Sequence, residues 1–124
     1  MGYREVNNDY LRTQVMSASP IKLIIMLYEG AIKSLRIAER AIEDKDVPRA
    51  HRYLRSAKKI VNELKSSVDT TVEGDVPEQL VRLYEYCSNQ LMVANLTKDT
   101  KPVDIVIHIL NELLESWKKI ATEK

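Results

Sequence analysis

The 124-residue chain has the length of one ordinary domain, and its 44% apolar and 30% charged content excludes wholesale disorder. Nineteen Lys and Arg against eighteen Asp and Glu leave a net charge of +1, too little for a strongly steered polyanion binder. The single cysteine, Cys87, excludes an internal disulfide framework and a cysteine-based zinc site.

The first eighteen residues read as an N-terminal arm. Asn7, Asn8 and Asp9 offer a cap, and Tyr10, Leu11, Val15 and Met16 form one short apolar face. This pattern is expected to give a short helical cap that docks on the rest of the chain and can leave it, against the competing expectation of a frayed terminus. Residues 19–124 form the main body.

Four prolines punctuate that body, at Pro20, Pro48, Pro77 and Pro102, each behind a capping candidate: Ser19, Asp46, Asp75 and Thr100. Proline suits a first helical turn, where its missing N–H has no intrahelical partner in any case. Asp75 with Glu78 also fits a capping box. The spacing predicts helices over 20–44, 47–69, 76–96 and 102–122. Apolar residues recur at alternating steps of four and three: Ile24, Tyr28, Ala31 and Leu35 in the first helix, and Leu54, Ala57, Val61 and Leu64 in the second. Leu80, Tyr84, Cys87 and Leu91 continue the rule, as do Val106, Leu110, Leu113 and Trp117. Four such stripes joined by short polar links specify an all-α fold, an antiparallel four-helix bundle carrying a short N-terminal helical cap. Tyr28, Tyr84 and Trp117 fall on the central stripes and are assigned to the core.

Two helices carry more apolar surface than one buried stripe requires. In Ile21–Tyr28 seven of eight residues are apolar, and in Val103–Leu110 six of eight. At about 100° per residue, Ile25 and Ile32 sit about 80–100° off the core stripe, and Ile107 and Leu114 occupy the corresponding flank of the last helix. Exposed strips of this kind are covered by something. Long loops, the arm or a second copy would serve, and so would an amphipathic helix or extended peptide from another protein.

Nothing in the chain has the pattern of an enzyme. The di-iron bundle motif Glu-x-x-His is absent, since Pro48 and Ile105 precede His51 and His108 by three. No metal or other cofactor is therefore expected. The stretch around His51 has some features of a histidine phosphotransfer bundle, the alternative functional reading, but the spacing to its basic partner is one residue too long and the usual glycine is missing. Arg49, Arg52, Arg55, Lys58 and Lys59 form a basic run without an aromatic stacking platform, so nucleic acid is not the expected partner. No secretory start or apolar run near the ~20 residues of a membrane span is present, so a cytoplasmic protein without membrane insertion is expected.

Tyr10-Leu11-Arg12-Thr13-Gln14-Val15, Ser17-Ala18-Ser19-Pro20-Ile21-Lys22-Leu23 and Met26-Leu27-Tyr28-Glu29-Gly30-Ala31, in this order, resemble the flagellin-specific export chaperone family, FliS. Leu83-Tyr84-Glu85-Tyr86, Leu91, Ala94-Asn95-Leu96, Asp99 and Trp117 extend the resemblance over nearly the whole chain. Ser17 stands where the family often has Thr, and Ile21 where it often has a polar residue. The resemblance implies a non-enzymatic cytoplasmic chaperone that binds the disordered C-terminal segment of flagellin, prevents its early polymerisation and aids delivery to the flagellar type III export gate. The surplus apolar flanks then become the expected client surface: Ile21, Ile25 and Ile32, with Leu83, Ile107 and Leu114. Tyr10, Leu11 and Val15 would cover part of it in the empty chaperone. Exchange of that arm with a neighbour would give a homodimer.

Overall fold

A computed structural model describes residues 20–122. The arm residues Tyr10, Leu11 and Val15, and the capping candidate Ser19, lie outside the described residues. Four helices follow in order: α1 (Pro20–Glu43), α2 (Val47–Ser66), α3 (Val76–Thr97) and α4 (Thr100–Thr122). They pack as a ring in which α1 meets α2 and α4, and α3 meets α2 and α4, while the diagonal backbones stay apart. The expected antiparallel four-helix bundle is the observed one.

Local chemistry sets the boundaries. The α1–α2 turn is a Schellman closure: the Lys45 N–H donates to the Ile42 carbonyl at 3.0 Å and the Asp46 N–H to the Ala41 carbonyl at 2.8 Å. Closure places Lys45 at φ 58°, in the left-handed region that glycine enters more easily. The Asp46 carboxylate accepts from the Arg49 N–H at 3.3 Å and caps α2, as its sequence position suggests. At the other two starts the structure corrects the sequence reading. Asp75 takes a helical conformation and its side chain caps nothing, so no capping box forms with Glu78. Helix α4 begins at Thr100 rather than at Pro102, because the Asp99 carboxylate accepts from the Lys101 N–H at 3.0 Å and closes the turn one residue earlier than Thr100 would. Helix α2 stops at Ser66, three residues short of expectation. There the Ser67 hydroxyl donates to the Leu64 carbonyl at 2.7 Å and competes with the helical ladder.

The predicted stripes of α1, α2 and α3 supply most of the core, whereas on α4 Val103, Ile107 and Leu114 are buried, Leu113 is only half-buried and Ile120 is exposed, because this helix turns its flank toward α1. Leu35, Leu54, Leu64, Leu91 and Leu110 are fully buried on the central stripes, each contributing about 1.5–3 kcal/mol by leaving water. Tyr28 and Tyr84 are buried among them, their hydroxyls 2.5 Å apart and their rings edge to face at 6.4 Å between centroids. Trp117 packs half-buried against the same core. The Tyr28–Tyr84 hydrogen bond links diagonal helices whose backbones never approach.

Candidate functional site

The predicted surface residues separate into two groups. Ile32, Ile107 and Leu114 are almost wholly buried, with 7%, 7% and 6% exposed. Their flanks were expected to be left open, but the flank of α1 and the flank of α4 face each other and close into one seam. Helical angle alone places such residues off the core stripe without showing that a neighbouring helix covers them. Ile21, Ile25 and Leu83 are half-buried and keep access to solvent.

Above the α1–α4 seam runs a shallow open groove of about 410 Å³, lined by Glu29, Ile32, Lys33, Arg36 and Ile37 of α1 and by Asn111 and Leu114 of α4. Ile32 and Leu114 thus meet as its floor. Its walls are amphipathic: Lys33 and Arg36 are exposed beside the half-buried Ile37, and the Lys118 ammonium reaches to 4.0 Å from the Glu29 carboxylate near one end. Such an exposed ion pair contributes little by itself. Ile107 lies two turns before Leu114 on the same flank of α4, and Ile25 two turns before Ile32 on α1, so both continue the line of the seam.

Leu83 belongs elsewhere. On α3, Ser88 and Asn95 hydrogen-bond to Asn62 and His51 of α2, which fixes the α2-facing side. Leu83 lies on the opposite side, toward α4, and α3 does not approach α1. What unites it with Ile21 and Ile25 is level along the bundle. Tyr28, Tyr84 and Trp117 bear on one another near one end. Leu83 stands at that level, and Ile21 and Ile25 one to two turns beyond it. There the chain enters α1 at Pro20. The half-buried Ile24, Val68 and Leu80 and the exposed Ile120 lie at the same end, giving a rim of incompletely covered apolar side chains.

Sequence reasoning missed Lys33, Arg36, Ile37 and Asn111. Ile37 carried a usable signal, an apolar residue five positions after Ile32 and therefore far from the core stripe. The polar wall residues carried none, since nothing in a solvated helix face marks which part borders a groove.

Titratable chemistry at this level is subdued. Burial raises the Tyr28 hydroxyl pKa, offset in part by hydrogen bonding from Tyr84 and Trp117. Burial, then the bond to Tyr28, raises that of Tyr84, and burial pushes the Cys87 thiol up to about 11. All three groups are therefore neutral near pH 7. His51 is exposed, and its Nδ1 lies 2.9 Å from the Asn95 side-chain amide. Among the described residues no three His, Cys, Asp or Glu converge to hold a metal ion, and no helix is long and apolar enough to cross a membrane. The arrangement is an apolar rim at one end, continued by a groove with charged walls.

The family described as "Flagellar protein FliS" matches residues 2–124. The flagellar secretion chaperone FliS of Salmonella typhimurium (strain LT2) is 36% identical over 112 residues, covering 90% of this chain and 83% of that protein. The chaperone of the same name from Vibrio cholerae is 32% identical over 121 residues, covering 98% and 87%. That of Bacillus subtilis (strain 168) is 30% identical over 110 residues, covering 89% and 81%. A crystal structure of a flagellar chaperone from bacteria superposes with a TM-score of 0.80 at 22% identity, covering 98% of both chains, which shows the shared fold.

Proposed function

Because the chain belongs to the FliS family, we propose that it is a cytoplasmic, non-enzymatic chaperone that captures the disordered C-terminal segment of flagellin, keeps it from polymerising and hands it to the flagellar export gate. The observation that carries this reading is the apolar rim of Ile21, Ile25 and Leu83, continued along α1–α4 by a groove floored by Ile32 and Leu114. The client's apolar anchors lie on the rim and in the groove. Ile107 extends the floor from below, and its contribution is to hold the seam shut.

Magnitudes set the extent of the contact. Ordering a disordered segment costs about 2–5 kcal/mol of the gross interaction energy. At about 25 cal/mol per Å² of apolar area, roughly 80–200 Å² is needed merely to offset that cost. The groove floor presents only Ile32 and Leu114, both almost wholly buried already, so the client runs on to the Ile21–Ile25 end. The arm residues Tyr10, Leu11 and Val15 compete for that end in the empty chaperone, in cis or by exchange within a homodimer.

The test uses the full chain and a synthetic peptide of the flagellin C-terminal segment. The double variant Ile25→Asp, Ile37→Asp alters only half-buried positions. It is expected to keep its helical circular dichroism and to lose at least about tenfold in affinity, since each charge removes an apolar contact of roughly 1 kcal/mol or more. Aspartate at Ile32, Ile107 or Leu114 would unfold the bundle and say nothing about binding. A folded double variant that binds the peptide normally would falsify the placement.

A further inference from the structure

The basic run of α2 is not absorbed by client capture, because it lies across the bundle from the α1–α4 groove. Residues 47–62 of α2 and 86–98 of α3 contain Arg49, Arg52, Arg55, Lys58, Lys59 and Lys98 and no carboxylate, in a chain whose net charge is only +1. These segments lie side by side. The Asn95 side-chain amide is 2.9 Å from Nδ1 of His51, and the Ser88 hydroxyl donates to the Asn62 side-chain oxygen at 3.2 Å. Eleven residues separate the two α2 partners, about 16 Å along the helix. None of the ion pairs among the described residues involves Arg52, Arg55, Lys58 or Lys59.

The opposite edge of the seam is apolar. Met92 lies four residues from Ser88, about 40° around α3, and Leu96 a further turn along. They are 46% and 79% exposed, and Leu96 is the most exposed large apolar side chain among the described residues. A basic rail on α2 thus runs beside an apolar pair at i and i+4 on α3, on a surface braced by two polar bridges.

We propose that the α2–α3 seam is a docking face for an acidic amphipathic helix of another protein. Its carboxylates would meet Arg55, Lys58 and Lys59, and its apolar stripe Met92 and Leu96. The charge pattern selects the sign of the partner, and the exposed Met–Leu pair selects an apolar stripe over a phosphate backbone. The aromatic of α2, Tyr53, is half-buried and lies beside the Arg52 and Arg49 guanidinium groups, 5.2 and 5.9 Å from the ring centroid, on the side of α2 that faces α1 rather than α3. Tyr86 of α3 is exposed but lies about 120° around the helix from Met92.

The probe is a fluorescein-labelled 18-residue peptide with Leu at helical i, i+3 and i+4 spacing and Glu elsewhere, titrated with the full chain and read by anisotropy at 50 and 300 mM NaCl. Binding is expected to weaken at least tenfold at the higher salt, and at least tenfold with Arg55→Glu, Lys59→Glu. The exposed substitution Leu96→Asp is expected to weaken it at least fivefold without loss of helicity. Ile25→Asp, Ile37→Asp and an excess of flagellin C-terminal peptide are expected to leave it unchanged, which separates this face from the client surface. The proposal is overturned by absence of binding, by equal binding of a scrambled peptide of the same composition, or by indifference to Leu96→Asp. Tighter binding of a 20-nucleotide oligo-U RNA, or displacement by the flagellin peptide, overturns it as well.

Discussion

Removal of the Tyr84 hydroxyl tests how the two diagonal helices are joined. Tyr28 and Tyr84 are fully buried, and their 2.5 Å hydrogen bond replaces water for both hydroxyls. Tyr84→Phe leaves the Tyr28 hydroxyl without that partner, at an expected cost of about 1–3 kcal/mol. Tyr28→Phe is expected to cost a similar amount, because it strands the Tyr84 hydroxyl in the same way. The double variant removes both polar groups and retains the edge-to-face ring contact, so its cost is expected to fall below the sum of the single costs by about 1–3 kcal/mol. The assay is guanidinium unfolding followed by far-ultraviolet circular dichroism and by fluorescence of Trp117, the only tryptophan, whose coincidence with the helical signal checks two-state behaviour. Additive effects within 0.5 kcal/mol, the margin typical of independent sites, would show that the pair is a packing contact whose hydroxyls do not depend on each other.

Alkaline stability follows from the same buried groups. The Cys87 thiol ionises near 9.0 when unfolded and near 11 in the fold, so the protonated form is favoured by folding. Its contribution, at most about 3 kcal/mol, is complete below pH 9 and is lost as pH rises toward 11. Tyr28 and Tyr84, raised from 10.0, add to the loss above pH 10. The guanidinium midpoint should therefore fall between pH 9 and 10, and Cys87→Val should flatten that part of the profile; a midpoint constant to pH 10.5 contradicts the burial. Gly30 lies inside α1, and a Cβ there would meet Ile60 Cδ1 at 3.6 Å, an ordinary contact. Gly30→Ala is accordingly expected to stabilise by about 0.5–1 kcal/mol and to raise the melting temperature by a few degrees. A lowered melting temperature would mean that α1 and α2 cannot accommodate even one methyl group.

Within the described residues, the four helices, the stripes of α1 to α3 and the antiparallel ring were legible from the chain alone, because they follow from a 3.6-residue period and from short links that force neighbours to pack; on α4 the buried stripe shifted to Ile107 and Leu114. Tyr28 and Tyr84 were legible as core for the same reason. The basic run on α2 was visible too, but its apolar neighbours Met92 and Leu96 were not, because they come from another helix. Helix ends were less legible, since whether Asp75, Asp99 or Ser67 engages the backbone at its own helix end depends on the conformation of that turn. The candidate surface divided along a similar line. A residue's angle on its own helix separates Ile25 from the stripe, yet only the neighbouring helix decides whether that flank meets water. Tertiary packing closed Ile32, Ile107 and Leu114 into the α1–α4 seam, left Ile21 and Ile25 partly open at one end, and set Leu83 apart on α3. Exposure belongs to pairs of helices, and a single amphipathic stripe carries no record of its neighbour.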